Sequence, residues 1–410
     1  MFLAMPSCNT DMYDEDEYIK LIEREQTVDS VDVAHTWTLF TDHVVAIDAT
    51  ALHVGARQVQ IWLGNAAAGE GTTMLAQADI SDGEQRQVAF AAPSMETAFY
   101  AAIVGDDGRY TVAPFTADNL KADFSAPLVR QATVGTELIG YQTCTCCFED
   151  AFPAAGDYDY NDLVLRFSYD RTAPNQITLY VTLAAVGTER QMAAAVRLVD
   201  YRYDDIQSVA IAEGRTFNDG YPDEWVYMID SSDLLLQGKD NEAVLNLFED
   251  AHWSIAGDQR NNFGVLNRRY YNVSKTTSAD YQLVSPYTLS YVITFKDSKL
   301  PDAFTLNRID PFAIVDYNSA CYEVHAAYKY RATQVLQFNT YSTNAHLLPW
   351  ALMIPTSAFR YPLEGMRLGY FKDGALFGAY MTAGHAFGEW AANRAKALDW
   401  YNYPTSNQVF

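Results

Sequence analysis

Short runs of alternating apolar and polar residues, each closed by a cluster of Gly, Asn, Asp or Pro, recur along this chain and constrain its fold more than any other feature. HTWTLF (His35 to Phe40), QVQIWLG (Gln58 to Gly64), MLAQADI, QVAFAAP, DLVLRFSYD (Asp162 to Asp170), ITLYVTLAAVG, LVSPYTLSYVITF and CYEVHAAYKY all read with a period of two, the repeat of a strand with one face inward. The 28 tyrosines often sit beside Val, Thr and Ile, which favours strands over helices. The fold class expected is mainly β and antiparallel, with no βαβ array. YAAIVGDDGRYTV (Tyr100 to Val112) reads as a hairpin in which Asp107 and Gly108 supply the positive φ of a tight turn.

At 410 residues the chain exceeds one ordinary core. Residues 34–125 read as a small N-terminal β-sandwich of about seven strands, and 138–405 as a larger antiparallel, sandwich-like domain. A few peripheral helices are expected: EAVLNLFEDA (Glu242 to Ala251) and HAFGEWAANRAKALDWY (His385 to Tyr401), the second placing Phe387, Trp390, Ala391, Arg394 and Leu398 close to i, i+3, i+4 spacing.

The start has a different character. MFLAMPSC (residues 1–8) is apolar, ends on a small residue before Cys8, and gives way to NTDMYDEDEY. That pattern matches the end of a lipoprotein signal with Cys8 as the lipidation site, followed over residues 9–33 by an acidic linker or short helix. No later stretch has 18 consecutive apolar residues, so any membrane attachment is expected through Cys8. Fifty-two acidic against 28 basic residues give a formal charge of −24, a field that repels phosphate backbones and disfavours nucleic acid as a partner. Cys144, Cys146 and Cys147 crowd into TCTCC. In a strand, adjacent members point to opposite faces, so buried thiols are expected in preference to zinc ligands or a disulfide to Cys321.

FEDAFPAAGDYDYNDLV (Phe148 to Val164) packs Glu149, Asp150, Asp157, Asp159, Asn161 and Asp162 into fourteen residues. Calcium takes six to eight oxygens, and these six side chains are the candidate ligands. The opening D-x-D-x-N is similar to that of an EF-hand, but Asp162 stands where Gly belongs and Ser168 where the closing Glu belongs, which excludes that motif. The alternative reading is that these Asp and Asn side chains cap turns at a strand entrance.

CFEDAFPAAGDYDYNDLVLRF resembles the signature of the LruC-domain proteins, a family of Bacteroidetes surface lipoproteins. RIDPFAIV, YEVH, LPWALMIP, FRYPLEG, FGEWA and DWY resemble further blocks of that family in the same order, over about residues 138–405. The resemblance implies an exported cell-envelope protein, anchored in the outer membrane and exposed at the surface; it supplies no catalytic residue.

The function expected is a surface lipoprotein with a structural or ligand-binding role toward a glycan or a host or surface protein, with calcium as a structural ion. Candidate contact rings are Tyr201, Tyr203, Tyr221, Tyr401 and Tyr403. A pilus-like subunit donating the closing TSNQVF, and a carboxylate-based glycoside hydrolase, are the alternatives. No H-E-x-x-H, G-x-S-x-G, P-loop or G-x-G-x-x-G occurs, so no enzyme is expected. Of the seven histidines, His325 and His346 lie in the family-like C-terminal region and could meet a carboxylate in the fold, a structural histidine being the expected role of each.

Overall fold

The computed structural model of the chain describes residues 31–66, 73–125, 142–152, 156–221, 233–256, 269–296, 304–315, 322–329, 339–340, 348–372 and 375–410. Cys8, the acidic stretch up to residue 30, Cys321 and His346 lie outside them.

The first seven strands build a small sandwich. β1 (Phe40–Asp48) pairs antiparallel with β4 (Gln85–Pro93) and parallel with β7 (Lys121–Asp123). The facing sheet runs β3 (Thr73–Asp79), β2 (Gln58–Leu63), β5 (Ala98–Val104), β6 (Tyr110–Thr116). Val45, Ile61, Phe90, Phe99 and Phe115 fill the space between, one apolar residue in two from each strand, as the alternation requires. In the β5–β6 hairpin only Gly108 is left-handed, at φ 70°. Asp107 instead accepts the Arg109 N–H at 3.1 Å, because five residues, not two, join the strands.

The second unit pairs two six-stranded sheets. One runs β12 (Ile206–Ile211), β17 (Thr288–Phe295), β10 (Gln176–Ala185), β9 (Leu163–Ala173), β8 (Thr143–Phe148), β21 (Ala351–Ile354). The other runs β13 (Leu235–Gln237), β14 (Glu242–Phe248), β11 (Met192–Arg202), β18 (Ile309–Val315), β19 (Tyr322–His325), β20 (Asn339–Thr340). Two-residue strands β15 (Tyr270–Tyr271) and β16 (Tyr281–Gln282) form a parallel pair, and β22 (Tyr370–Lys372) with β23 (Ala375–Phe377) a hairpin. Leu165, Phe167, Leu179, Leu245, Tyr291 and Ile293 belong to the core between the large sheets.

Glu242 to Phe248 is therefore strand β14, not helix. Ala243 to Phe248 are all buried, and a continuous apolar run inside a sheet cannot be told from a buried helix by periodicity alone. The helix α1 (Ala251–Ala256) begins only after it. The C-terminal helix is likewise short: α2 (Phe387–Ala392) stops where Asn393 turns extended at φ −155°, and a single 3-10 turn follows at Trp400–Asn402.

A second apolar cluster lies on the outer face of the first large sheet. Cys147, Val164, Ala184 and Leu352 point outward beneath Phe359, Tyr361, Tyr380, Phe387, Trp390 and Trp400, and Trp37 and Leu39 join from the N-terminal side. This aromatic cap holds the end of the chain: Val409 is buried, and the Phe410 N–H reaches the Tyr361 carbonyl at 2.9 Å. In β8, Cys144 and Cys146 face the inner core while Cys147 faces the cap, and all three are buried free thiols. The two sandwiches are stitched by Gln77 to Asp170 at 2.7 Å, the Tyr169 hydroxyl to the Leu75 carbonyl at 3.0 Å, and Arg171 to Asp79 at 2.9 Å.

Candidate metal centre

The acidic segment is the connection between β8 and β9, whose paired ends are Phe148 and Leu163. Glu149 is fully buried; its carboxylate accepts the Tyr158 N–H at 3.0 Å on Oε2 and the Tyr160 N–H at 2.7 Å on Oε1. Both tyrosines are left-handed, at φ 59° and 54°, a conformation that costs roughly 1–2 kcal/mol per residue for side chains with a Cβ. Their buried rings offset that cost: both pack in the aromatic cap, and the Tyr160 hydroxyl donates to the Pro349 carbonyl at 2.5 Å. The result is a tight coil that turns Asp157 and Asp159 toward Glu149. Gly156 is required there, since a Cβ would lie 1.8 Å from Glu149 Oε2.

Glu149, Asp157 and Asp159 each present an oxygen, all within 4.8 Å of one another. Two oxygens on one calcium ion at 2.3–2.6 Å are at most about 5.2 Å apart, so the three fit a single hard cation. The other three candidates brace the loop. Asn161 donates to Asp159 Oδ2 at 2.8 Å and to the Pro362 carbonyl at 3.2 Å. Asp162 accepts the Asp150 N–H at 2.7 Å. Asp150 takes the Thr188 hydroxyl and lies 3.7 Å from the Arg190 guanidinium. Turn bracing thus engages Asn161, Asp162 and Asp150, while Glu149, Asp157 and Asp159 are the oxygens that converge.

Glu364 was not singled out from the sequence, although it sits in the FRYPLEG block. The segment carrying it docks on the acidic loop: Gly365 N–H to Asp159 Oδ2 at 2.8 Å, Leu368 N–H to the Tyr158 carbonyl at 2.8 Å. Burial, then the Asp157 and Asp150 charges, push the Glu364 carboxyl up to about 8, and its buried Oε2 has no hydrogen-bond partner. Glu149 is pushed up to about 8 by burial and by Asp157, against the two tyrosine amides. Asp157, Asp159 and Asp162 are all raised, burial being the main cause and the neighbouring carboxylates the next for Asp159 and Asp162. Arg367 lowers Asp157, too little to reverse the rise. Without a cation these crowded carboxyls therefore hold protons in place of charge, and a divalent ion could take the place of those protons.

The predicted contact rings do not gather into a surface. Tyr221 and Tyr401 are buried, Tyr201 packs on the inner core, and Tyr403 is exposed and stacked on His385 at 4.0 Å. His325 does meet carboxylates, Asp310 at 3.0 Å and Glu323 at 3.3 Å, within a wholly buried group.

Fold and loop together define a class: a two-sandwich β-protein whose second sandwich carries a carboxylate cluster, buried at Glu149 and Asp159 and exposed at Asp157, on a loop whose tyrosines pack in an aromatic cap. The chain belongs to the family described as "Domain of unknown function (DUF4842)", whose model matches residues 175–401. Among solved structures it is similar to that of a "Putative lipoprotein from Bacteroides ovatus", with a TM-score of 0.51 and 13% identity over 87% of this chain and 99% of that one, a likeness of fold alone. No curated protein matches it.

Proposed function

We propose that this chain is a cell-envelope lipoprotein of the LruC type, displayed on the outer membrane through Cys8, in which a calcium ion fastens the β8–β9 loop to the C-terminal cap. The observation that carries the cation is the convergence of Glu149, Asp157 and Asp159, whose oxygens lie within 4.8 Å of one another, with Glu364 near enough to raise Asp159. Asp159 also accepts the Gly365 N–H of the C-terminal segment, so an ion that fixes its carboxylate steadies the contact between loop and cap. Support for the address comes from MFLAMPSC with its acidic sequel, from the GDYDYND signature, and from the lipoprotein of similar fold. The role is structural, holding a rigid body whose outer surfaces are free to recognise a ligand.

The test is thermal unfolding of the protein in EDTA and in millimolar calcium or magnesium, with elemental analysis of the protein as purified. A calcium-specific rise in Tm that Asp159→Ala abolishes is the expected result. Equal Tm values in all three buffers, with no metal in the protein, would leave the cluster as a proton-sharing turn cap.

A further inference from the structure

The outer face of the sheet β12-β17-β10-β9-β8-β21 is divided. The aromatic cap covers Cys147, Val164 and Ala184. Past its edge the same face opens as a groove of about 460 Å³, whose polar lining is Thr143, Arg166, Ser168, Tyr180, Thr182 and Thr288, with Ser357 at the rim. That volume is typical of small-molecule sites.

The strand register orders these residues into two rows. Arg166 lies opposite Thr182, which lies opposite Thr288; Thr143 lies opposite Ser168, which lies opposite Tyr180. The Thr182 and Thr288 hydroxyls are 2.6 Å apart. No carboxylate lines the groove. Its Tyr180 end is acidic, since Asp170 on β9 and Glu213 just past β12 both act on the Tyr180 hydroxyl.

Arg166 is the conspicuous member. In a chain with 52 acids and 28 bases it forms no ion pair among the described residues. Its Nη2 reaches only the Phe359 carbonyl at 3.5 Å, and its Nε is buried without a partner. A desolvated donor on a charged group is costly to leave unmade, and a guanidinium fork fits a carboxylate with two parallel bonds. Beside it stand hydroxyls that both donate and accept and one half-buried tyrosine ring, a flat face for a sugar.

We propose that this groove binds a carboxylate-bearing saccharide of the uronic acid type. The carboxylate sits on Arg166, the ring hydroxyls meet Thr143, Ser168, Thr182 and Thr288, and a pyranose face rests on Tyr180. The acidic Tyr180 end confines the ligand's charge to the Arg166 end. None of this depends on the cation site, from which the groove is separated by the cap.

The experiment is calorimetric or NMR titration of the full chain with trigalacturonate and, as the neutral counterpart, galactotriose. Trigalacturonate should bind, galactotriose at least tenfold more weakly, and Arg166→Met should weaken trigalacturonate at least tenfold with Tm unchanged. Should Arg166→Met fail to fold, Tyr180→Ala and Thr182→Val, on the exposed side of the sheet, should each weaken binding several-fold. No trigalacturonate binding, equal binding of the neutral sugar, or affinity untouched by these substitutions would each overturn the proposal.

Discussion

Two buried groups of acids in the second sandwich meet the same physical problem in opposite ways. On the outer face of the second large sheet, Asp310 and Glu323 are fully buried, yet His325 bridges them and Arg197 closes on Asp310 at 2.7 Å and on Glu242 at 3.3 Å. Burial alone would neutralise every member. Asp310 and Glu323 override it for His325, which is raised to about 9, while His325, Arg197 and Lys329 together hold Asp310 below its ordinary value. The β8–β9 loop has more acids than bases, with Arg190 on Asp150 and Arg367 acting on Asp157, and the Glu149, Asp159 and Glu364 carboxyls move the other way. The comparison teaches that burial of acids is not itself a metal signature. What distinguishes the loop is that, among the described residues, the bases beside it do not hold its Glu149 and Asp159 carboxyls below their ordinary values.

The largest expected effect comes from unbalancing the self-neutralised group. Arg197→Met leaves Asp310 with one partner fewer in a dry environment, and removing one member of a buried pair costs about 3–5 kcal/mol. Urea unfolding should show that loss equally in calcium and in EDTA. A loss present only in calcium would mean that the two groups are coupled and that the contrast drawn here is false.

Next in size is the loop. Calcium at one hundred times its Kd should add about 2.7 kcal/mol to unfolding free energy, and Asp159→Ala should remove that increment while leaving the value in EDTA nearly unchanged or higher, because one of several mutually repelling charges is gone. A variant equally destabilised in both buffers would reduce Asp159 to a cap for Asn161 and Gly365.

Both groups should lose stability as the solution is made basic, but in different pH windows and with different responses to calcium. In EDTA, Glu149 and Glu364 have ordinary values of 4.5 and folded values of about 8, so between those limits the folded state holds protons the unfolded chain has released. Stability then falls as pH rises through that window. Calcium replaces those protons, so the fall should vanish when calcium is added. Around His325 the raised folded value contributes stability that is fully present below 6.5 and is lost as pH rises through about 9, with or without calcium. Asp310, held low, contributes above 3.8 and loses its contribution as pH falls below that. Unfolding curves from pH 5 to 9.5 in both buffers separate the two: a calcium-dependent slope at pH 5–8 and a calcium-independent one nearer 9.

The loop group was largely legible in the sequence because Glu149, Asp157 and Asp159 lie within eleven residues and a single coil can bring them together. Glu364 was not, since its approach depends on a cap segment some 200 residues away, docked through Gly365 and Leu368. The His325 group was only half legible. A histidine next to Glu323 in the next-but-one position could be seen, but its pairing with Asp310 is set by the β18–β19 register, in which Phe312 faces His325, and with Arg197 by the β11–β18 register. The mainly β fold followed from the period of two, whereas β14 escaped because it is buried on both faces and has no period to read.

The smallest effect is also the most discriminating, because it makes one chemical change in both places. Glu→Gln removes a charge and keeps the shape. At Glu323 it takes a carboxylate from a protonated His325 that needs it, and should cost about 1 kcal/mol, the range for a hydrogen bond weakened by loss of charge. At Glu364, whose Oε2 has no hydrogen-bond partner, it replaces a carboxyl whose ionisation folding opposes and, in EDTA at pH 7.5, should stabilise by a similar amount, about 1 kcal/mol. Adding calcium should shrink the Glu364→Gln gain, since the ion offsets the neighbouring carboxylates that repel Glu364, and leave Glu323→Gln where it was. If instead both variants lose stability in EDTA, the loop has a balancing base and needs no ion; if both gain, His325 is neutral and the two groups are alike.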